Sequence, residues 1–420
     1  MLKPIKWLFT AMLLCIITNL ASAQTDLTEA IDKQLIPLTT TDPGDDLSDL
    51  AKLKPLLKDK TIIGIGEATH GTHEFFTMKH RMLQFLVKEM SIKTFVIEGD
   101  MAGTEYMNNY VLNSKGDLNA GIYGMGLGVW MRQEFVDMVN WVKAYNATQT
   151  PENKVRFYGC DMQYGTFAIK ILKDELSRLG RFTPEMEAGA PGFNKYTPSL
   201  TGKEKAAMRN TVAKLAEVKF TDGDTALFNR CVRELQQVTG YIDAASTFFP
   251  AKQDEYRDKC MAENVEYLNN HTGQNKMMLW AHNAHIGKND GSDGRKRMGM
   301  WLSPNFKDKY YAMGFDFNAG SMLSYDGKLH KNVAVEMPVA KTGSSGAVFA
   351  QCSVPNFILD FKTASADPVI NTFLNASIPS SFYGASYSTG ETPHYVTHKL
   401  AAAYDAMIFI RDTRPSMEIK

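Results

Sequence analysis

Six short apolar runs, Thr61–Gly66, Thr94–Glu98, Val155–Gly159, Met277–Ala281, Tyr310–Phe317 and Ala406–Arg411, stand between long segments with helical periodicity. Few folds accommodate that arrangement. Runs this short and this rich in Ile, Val and Phe suit strands buried on both faces, and the helical stretches between them suit crossovers. The pattern predicts an α/β fold with a mostly parallel central sheet flanked by helices. Between Gln163 and Thr272 no strand signal occurs, and helical periodicity continues through Phe167–Leu179, Lys203–Val218, Leu227–Ala245 and Asp254–Asn270. This stretch reads as a helical insertion at about 163–272, with the Gly- and Pro-rich loop Glu185–Leu200 near its start, in a core spanning about 50–162 and 275–415.

Lys3 and Lys6 precede an apolar stretch from Trp7 to Ile17, and Ala21-Ser22-Ala23 supplies the small-x-small pattern that signal peptidase cuts. Residues 1–23 therefore read as a signal peptide and 24–420 as the mature domain, expected in the periplasm or outside the cell. A membrane span is the weaker reading, because Thr18-Asn19 interrupts a run already too short, and Cys15 lacks the setting of a lipid anchor. Removing the leader takes two lysines from 46 basic residues and nothing from 46 acidic ones, so the formal charge becomes −2. That balance argues against nucleic acid or anionic membranes as partners. Cys160, Cys231, Cys260 and Cys352 are widely spaced without a CxxC pattern, which excludes a zinc-finger or redox motif and leaves room for one unassigned disulfide. No cofactor motif is present, and none is expected.

Chemistry gathers at the strand ends. Thr61-Ile-Ile-Gly-Ile-Gly66 runs into Glu67, Thr69 and His70 before Gly71 turns toward a helix, and Met277-Met-Leu-Trp-Ala281 runs into His282 and His285. Ligands in open α/β sheets bind at the carboxyl ends of the strands, where these groups stand. A lone histidine after a strand is commonly structural, but His70, His73, His282 and His285 make four of the nine histidines, in two matching settings. Glu98 ends a third run, on a strand expected to neighbour that of Glu67, or else caps the next helix; Asp161 reads as an N-cap.

In the helix after His70, Phe75, Phe76, Met82, Leu83 and Leu86 form one apolar stripe that contains Lys79. The same phasing puts His73, Thr77, His80, Arg81, Gln84 and Lys88 on a solvated face. A buried ammonium is unfavourable unless it meets a carboxylate or lines a cavity, so Lys79 is a site candidate and a charge partner for Glu67 or Glu98. The plain alternative is a stem that snorkels past the core. Trp130, Met131, Met298, Met300 and Trp301 are candidates for an apolar cleft, or ordinary core residues.

Together, Gly66-Glu-Ala-Thr-His-Gly71, Val96-Ile-Glu98, Arg257-Asp258-x-x-Met261-Ala262-Glu263-Asn264 and Trp280-Ala-His282-Asn-Ala-His285 resemble the erythromycin esterase family, in the family's order, from about Pro55 to Arg411. The resemblance implies an α/β core with helical additions, related in fold to ChaN-like haem-uptake proteins, and in the antibiotic-resistance members hydrolysis of a macrolide lactone by activated water. It also implies an inward basic residue after the histidine motif, commonly arginine, where this chain has Lys79.

Ester hydrolysis at neutral pH needs a base that takes a proton from water, a role that suits His70. Glu67 or Glu98 would hold its ring, while His282, His285 and Lys79 would polarise the carbonyl or protonate the leaving alkoxide. No G-x-S-x-G elbow occurs, which favours water over a serine nucleophile, and Thr69 is better suited to bonding its own backbone. Arg257 faces the cleft, with Trp130 and Trp301 as further substrate contacts, or else ties the insertion to the core in a salt bridge. Two other readings stay open. Histidines and glutamates of this set also bind zinc or manganese, although no H-E-x-x-H spacing occurs. A non-catalytic periplasmic binder of haem or a polyketide-like ligand is the other, since histidines ligate haem iron.

Overall fold

The computed structural model describes residues 25–113, 116–195, 199–245, 250–273, 276–289, 294–388 and 390–419; the leader expected at 1–23 lies outside them. Eleven strands are formed: β1 (Ile36–Pro37), β2 (Ile62–Ile65), β3 (Thr94–Asp100), β4 (Arg156–Asp161), β5 (Met277–Trp280), β6 (Tyr310–Asp326), β7 (Lys331–Met337), β8 (Asn356–Asp360), β9 (Ser377–Ser381), β10 (Tyr395–Lys399) and β11 (Ala406–Thr413). The main sheet runs β1-β8-β11-β6-β2-β5-β3-β4, with β7 added to the far half of β6, and β9 and β10 form a separate hairpin. From β11 to β4 every pairing is parallel, as the crossover pattern predicts; β8 and β7 pair antiparallel. Strands β7, β9 and β10 escaped the sequence reading because they are polar and partly exposed, and β8 because its apolar stretch is only Phe357-Ile-Leu359.

Side chains alternate across the sheet and build a core on each face. Ile63, Ile65, Phe95, Ile97, Met278 and Trp280 join one buried cluster, while Ile62, Val96, Met277 and Leu279 join the other. Among the described residues between β4 and β5 no strand occurs. Helices Thr166–Arg178, Gly202–Ala216, Thr225–Ala244 and Pro250–His271 fill that stretch, and the first three close a third core around Leu172, Met208, Leu215, Cys231 and Leu235. The expected loop at Glu185–Leu200 is largely helical instead. Pro184 opens a helix capped by Thr183, whose side chain accepts from Met186 N, and a 3-10 turn follows at Ala190–Asn194.

A buried acid pair pins this helical layer to the sheet. Asp100, at the end of β3, accepts from Gly103 N at 2.6 Å, and Glu234 accepts from Ala102 N at 2.6 Å. Their second oxygens are buried without a hydrogen-bond partner, and each carboxyl disfavours ionisation of the other, so the pair holds on to a proton. Burial, with the Asp161 charge adding, pushes Asp100 up to about 8. A folded-state value raised above the ordinary one gives stability that is complete below about pH 4 and is lost as pH rises through about 8. Asp100→Asn, which carries no proton to lose, is therefore expected to flatten the pH dependence of unfolding free energy over that window, by up to about 1.4 kcal/mol per pH unit. Urea titrations across the window check it; identical slopes for the variant and the native chain would contradict a proton held by the pair.

The helix His73–Met90 corrects the sequence reading. Of its supposedly solvated face, Thr77, His80, Arg81 and Gln84 are buried, because the chain before residue 60 and the helix Gln133–Ala147 lie over them, while Lys88 is exposed as expected. Arg81 forks onto Asp49 with bonds of 2.6 and 3.1 Å, Gln84 accepts from Gly44 N, His80 packs on Trp141, and His73 Nδ1 meets Glu134 at 2.6 Å. Arg81→Met leaves Asp49 with only its bonds from Thr39 and removes a buried fork, and is expected to destabilise the fold by about 3 kcal/mol in urea unfolding, where a solvated arginine would give almost nothing. Among the described residues no helix is long and apolar enough to cross a membrane.

Candidate active site

Register brings three strand ends together. Ile65, Trp280 and Ile97 share one rung of β2, β5 and β3, so the residues that follow, Glu67, His282 and Glu98, emerge side by side. Strand β5 lies between the other two. The expected adjacency of the Glu67 and Glu98 strands is thus replaced by a division of labour, in which Glu67 serves His70 and Glu98 serves the histidines of β5. Glycine is required at Gly66 and Gly71, where an added Cβ would stand 2.1 Å from Asn283 Oδ1 and 1.7 Å from Leu323 O.

Glu67 is fully enclosed. It accepts from Trp280 Nε1 at 3.0 Å, from His70 Nδ1 at 2.6 Å, and from the buried Lys79 Nζ, which also lies 4.2 Å from the Trp280 ring centre. Burial pushes the Glu67 carboxyl up, but the Lys79 charge and the hydrogen bonds from His70 and Lys79 outweigh it and hold it at about 2. Burial lowers Lys79 to about 8, against the pull of Glu67 and Glu98, so it remains an ammonium at neutral pH. Lys79 therefore faces inward, away from any substrate. Ionised Glu67 fixes the proton of His70 on Nδ1, which leaves Nε2 as an acceptor. That nitrogen has no protein partner among the described residues, and the side chain is 14% exposed.

The second cluster is a network of ion pairs. His285 donates from Nδ1 to Asp258 at 2.6 Å and lies 3.3 Å from Glu98 through Nε2. Burial opposes its protonation, but the Asp258 and Glu98 charges prevail and raise it to about 10, so it is an imidazolium. Arg257 bonds Asp161 through Nε and Nη2 and Glu98 through Nη2 at 2.7 Å, and burial fails to offset these anions, which push its value further up. Its Nη1 meets only His285 Nε2, at 3.3 Å, itself a donor, so the Nη1 hydrogens have no acceptor among the described residues. Glu98 is held well below its ordinary value, with burial overridden by His285, Arg257 and His70. Arg257 thus tethers the helix Pro250–His271 to β3 and β4 and also offers donors to a ligand. Asp161 is a partner of Arg257 rather than a helix cap; the helix after it is preceded by Gly165.

His282 does not fit the acid or electrophile role expected of it. Nε2 donates to Tyr383 O at 2.9 Å, and Nδ1 accepts from Ala284 N at 3.2 Å, so neither nitrogen is available. Burial lowers it to about 3 and keeps it neutral. Its ring lies 4.9 Å from that of His70 and serves as a wall. Trp130 is 1% exposed and donates Nε1 to Glu98 O at 3.0 Å; it supports the strand from behind instead of touching substrate. Trp301 packs on the second core layer with Lys296 over its ring, outside this constellation. Thr69 Oγ1 bonds Thr72 Oγ1 and Gly71 N. The four cysteines are buried free thiols, so the disulfide left open by the sequence is not formed. Among the described residues no three His, Cys, Asp or Glu converge as metal ligands would.

Asp258, which orients His285, was read from the sequence only beside Arg257, and Trp280, which bonds Glu67, only as part of the run before His282. An indole at the end of β5, two residues before His282, offered little signal of its own.

The family model described as erythromycin esterase matches residues 87–413. The chain is 21% identical to the erythromycin esterase type II of Escherichia coli, over 81% of this chain and 90% of that protein. A solved Bacillus cereus protein superposes with a TM-score of 0.82 at 26% identity, over 94% of this chain and 99% of its own. A solved succinoglycan biosynthesis protein gives the same TM-score at 22% identity, over 95% and 99%, a likeness of fold.

Proposed function

Because the chain belongs to the erythromycin esterase family, we propose that it is an exported, metal-independent hydrolase of carboxylic esters, macrolide lactones among the candidates, that uses water activated by His70. The observation that carries this reading is the buried Lys79–Glu67–His70 relay, which fixes the proton on His70 Nδ1 and leaves Nε2 without a protein partner among the described residues. Water loses a proton to Nε2 as its oxygen attacks the carbonyl carbon. Charge that develops on the carbonyl oxygen falls to Arg257 Nη1, with the fixed positive charge of His285 beside it. When the tetrahedral centre collapses, the ester C–O bond breaks and the alkoxide takes the proton back from Nε2. No protein nucleophile takes part.

Arg257→Met is expected to reduce kcat by on the order of 10²-fold, with a smaller change in KM, because the lost contact strengthens as the oxyanion forms. Purified wild type is assayed against macrolides and simple esters by mass spectrometry, with and without a chelator. Hydrolysis that disappears on chelation would favour a metal-assisted route, and no hydrolysis of any ester would overturn the reading. The binder alternative predicts instead a haem absorption shift that His282→Ala abolishes; the engagement of both His282 nitrogens with the backbone weighs against it.

A further inference from the structure

Behind His282 lies a second cavity. The His282 ring contacts Phe382 edge-on at 5.0 Å on one side, as it contacts His70 on another, and Phe382 lines a space of about 260 Å³ closed by the β9–β10 hairpin. A hydrogen-bonded chain reaches its wall. Asp316, a buried residue of β6, bonds Ser345 Oγ; Ser345 bonds Ser380 Oγ at 2.8 Å; Ser380 bonds His398 Nε2 at 3.0 Å. Burial keeps His398 neutral, at about 4, so its ring offers one donor and one acceptor nitrogen. Nδ1 has no partner among the described residues.

Rings of Phe315, Phe382 and Tyr404 contribute to the apolar part of the lining with Val396 and Met407, and Arg297 is its one charged residue among the described residues. Arg297 also reaches Asp258, the carboxylate that holds His285, at 3.5 Å, so its charge is already met. An ionic ligand would therefore find no uncompensated partner, whereas hydroxyls would find Ser380 and His398 and a flat C–H face would find the aromatic rings.

We propose that this cavity is a subsite for a neutral hydroxylated ring, the sugar-like part of an ester whose carbonyl lies at His70. What the ring is joined to rests on the hydrolase reading; the binding itself does not. Through Arg297 and Asp258 an occupant would also bear on the orientation of His285.

Saturation-transfer NMR on the full chain with methyl glucoside as the probe tests it. Wild type and His70→Ala are expected to transfer saturation to the ring protons. Val396→Phe, which fills the cavity from the position that pairs with Ser380 across the hairpin, is expected to abolish transfer, and Ser380→Ala to reduce it severalfold. Equal transfer in wild type and Val396→Phe, or none in wild type, would overturn the proposal. Should Val396→Phe unfold, as its melting curve will show, undiminished transfer in Ser380→Ala overturns it instead. Transfer retained by a chain that hydrolyses no ester would refute the hydrolase reading and leave the subsite standing.

Discussion

His70→Ala is expected to lower kcat for ester hydrolysis by on the order of 10²–10⁴-fold while the melting temperature stays close to that of the native chain. The ring stands in a loop beyond β2, is partly exposed, and makes its one protein hydrogen bond among the described residues to Glu67. Removing it takes away the acceptor for the proton of water and little apolar packing. Glu67 keeps its bonds to Lys79 and Trp280, so no buried charge is stranded. Activity is read by steady-state kinetics and folding by circular dichroism; a variant with near-native turnover would remove His70 from the reaction.

Lys79→Met is expected to damage both stability and rate. The ammonium is fully buried and is the cation that holds Glu67 ionised, so its loss leaves an uncompensated carboxylate inside the protein, at a cost of about 3–5 kcal/mol. Glu67 escapes that penalty by taking a proton, which raises its value from about 2 toward and above the ordinary carboxyl range. A protonated Glu67 no longer fixes His70 with Nδ1 as donor, and turnover falls. Lys79→Arg keeps the charge beside Trp280 and is expected to retain more activity, although a planar fork does not replace a point charge freely in so enclosed a place. Urea unfolding and kcat of the two variants check this. A methionine variant within about 0.5 kcal/mol of the native chain, with unchanged rate, would show that the pair is not needed.

The parallel sheet was legible because β2, β3 and β5 are buried on both faces and leave unbroken apolar runs, each ending at residues of the candidate site. Lys79 was legible because it lies one helical turn from Phe75, Phe76, Met82 and Leu83, inside the apolar stripe. The same phase misplaced Arg81, since a helix wheel shows that a face is polar but not that the segment around Asp49 lies over it. His282 and His285 look alike in sequence. They differ because Tyr383 O, about a hundred residues away, takes one ring while Asp258 and Glu98 take the other. Which carboxylate serves which histidine depended on β5 lying between β2 and β3, a matter of strand order that local patterns do not carry.

The most direct test is a single turnover in ¹⁸O-labelled water with protein in excess over an ester that it hydrolyses, quenched and read by mass spectrometry of both the acid and the intact protein. Direct attack by water activated at His70 predicts one labelled oxygen in the acid and a protein mass that never increases. An acyl group on the protein during the turnover would contradict it.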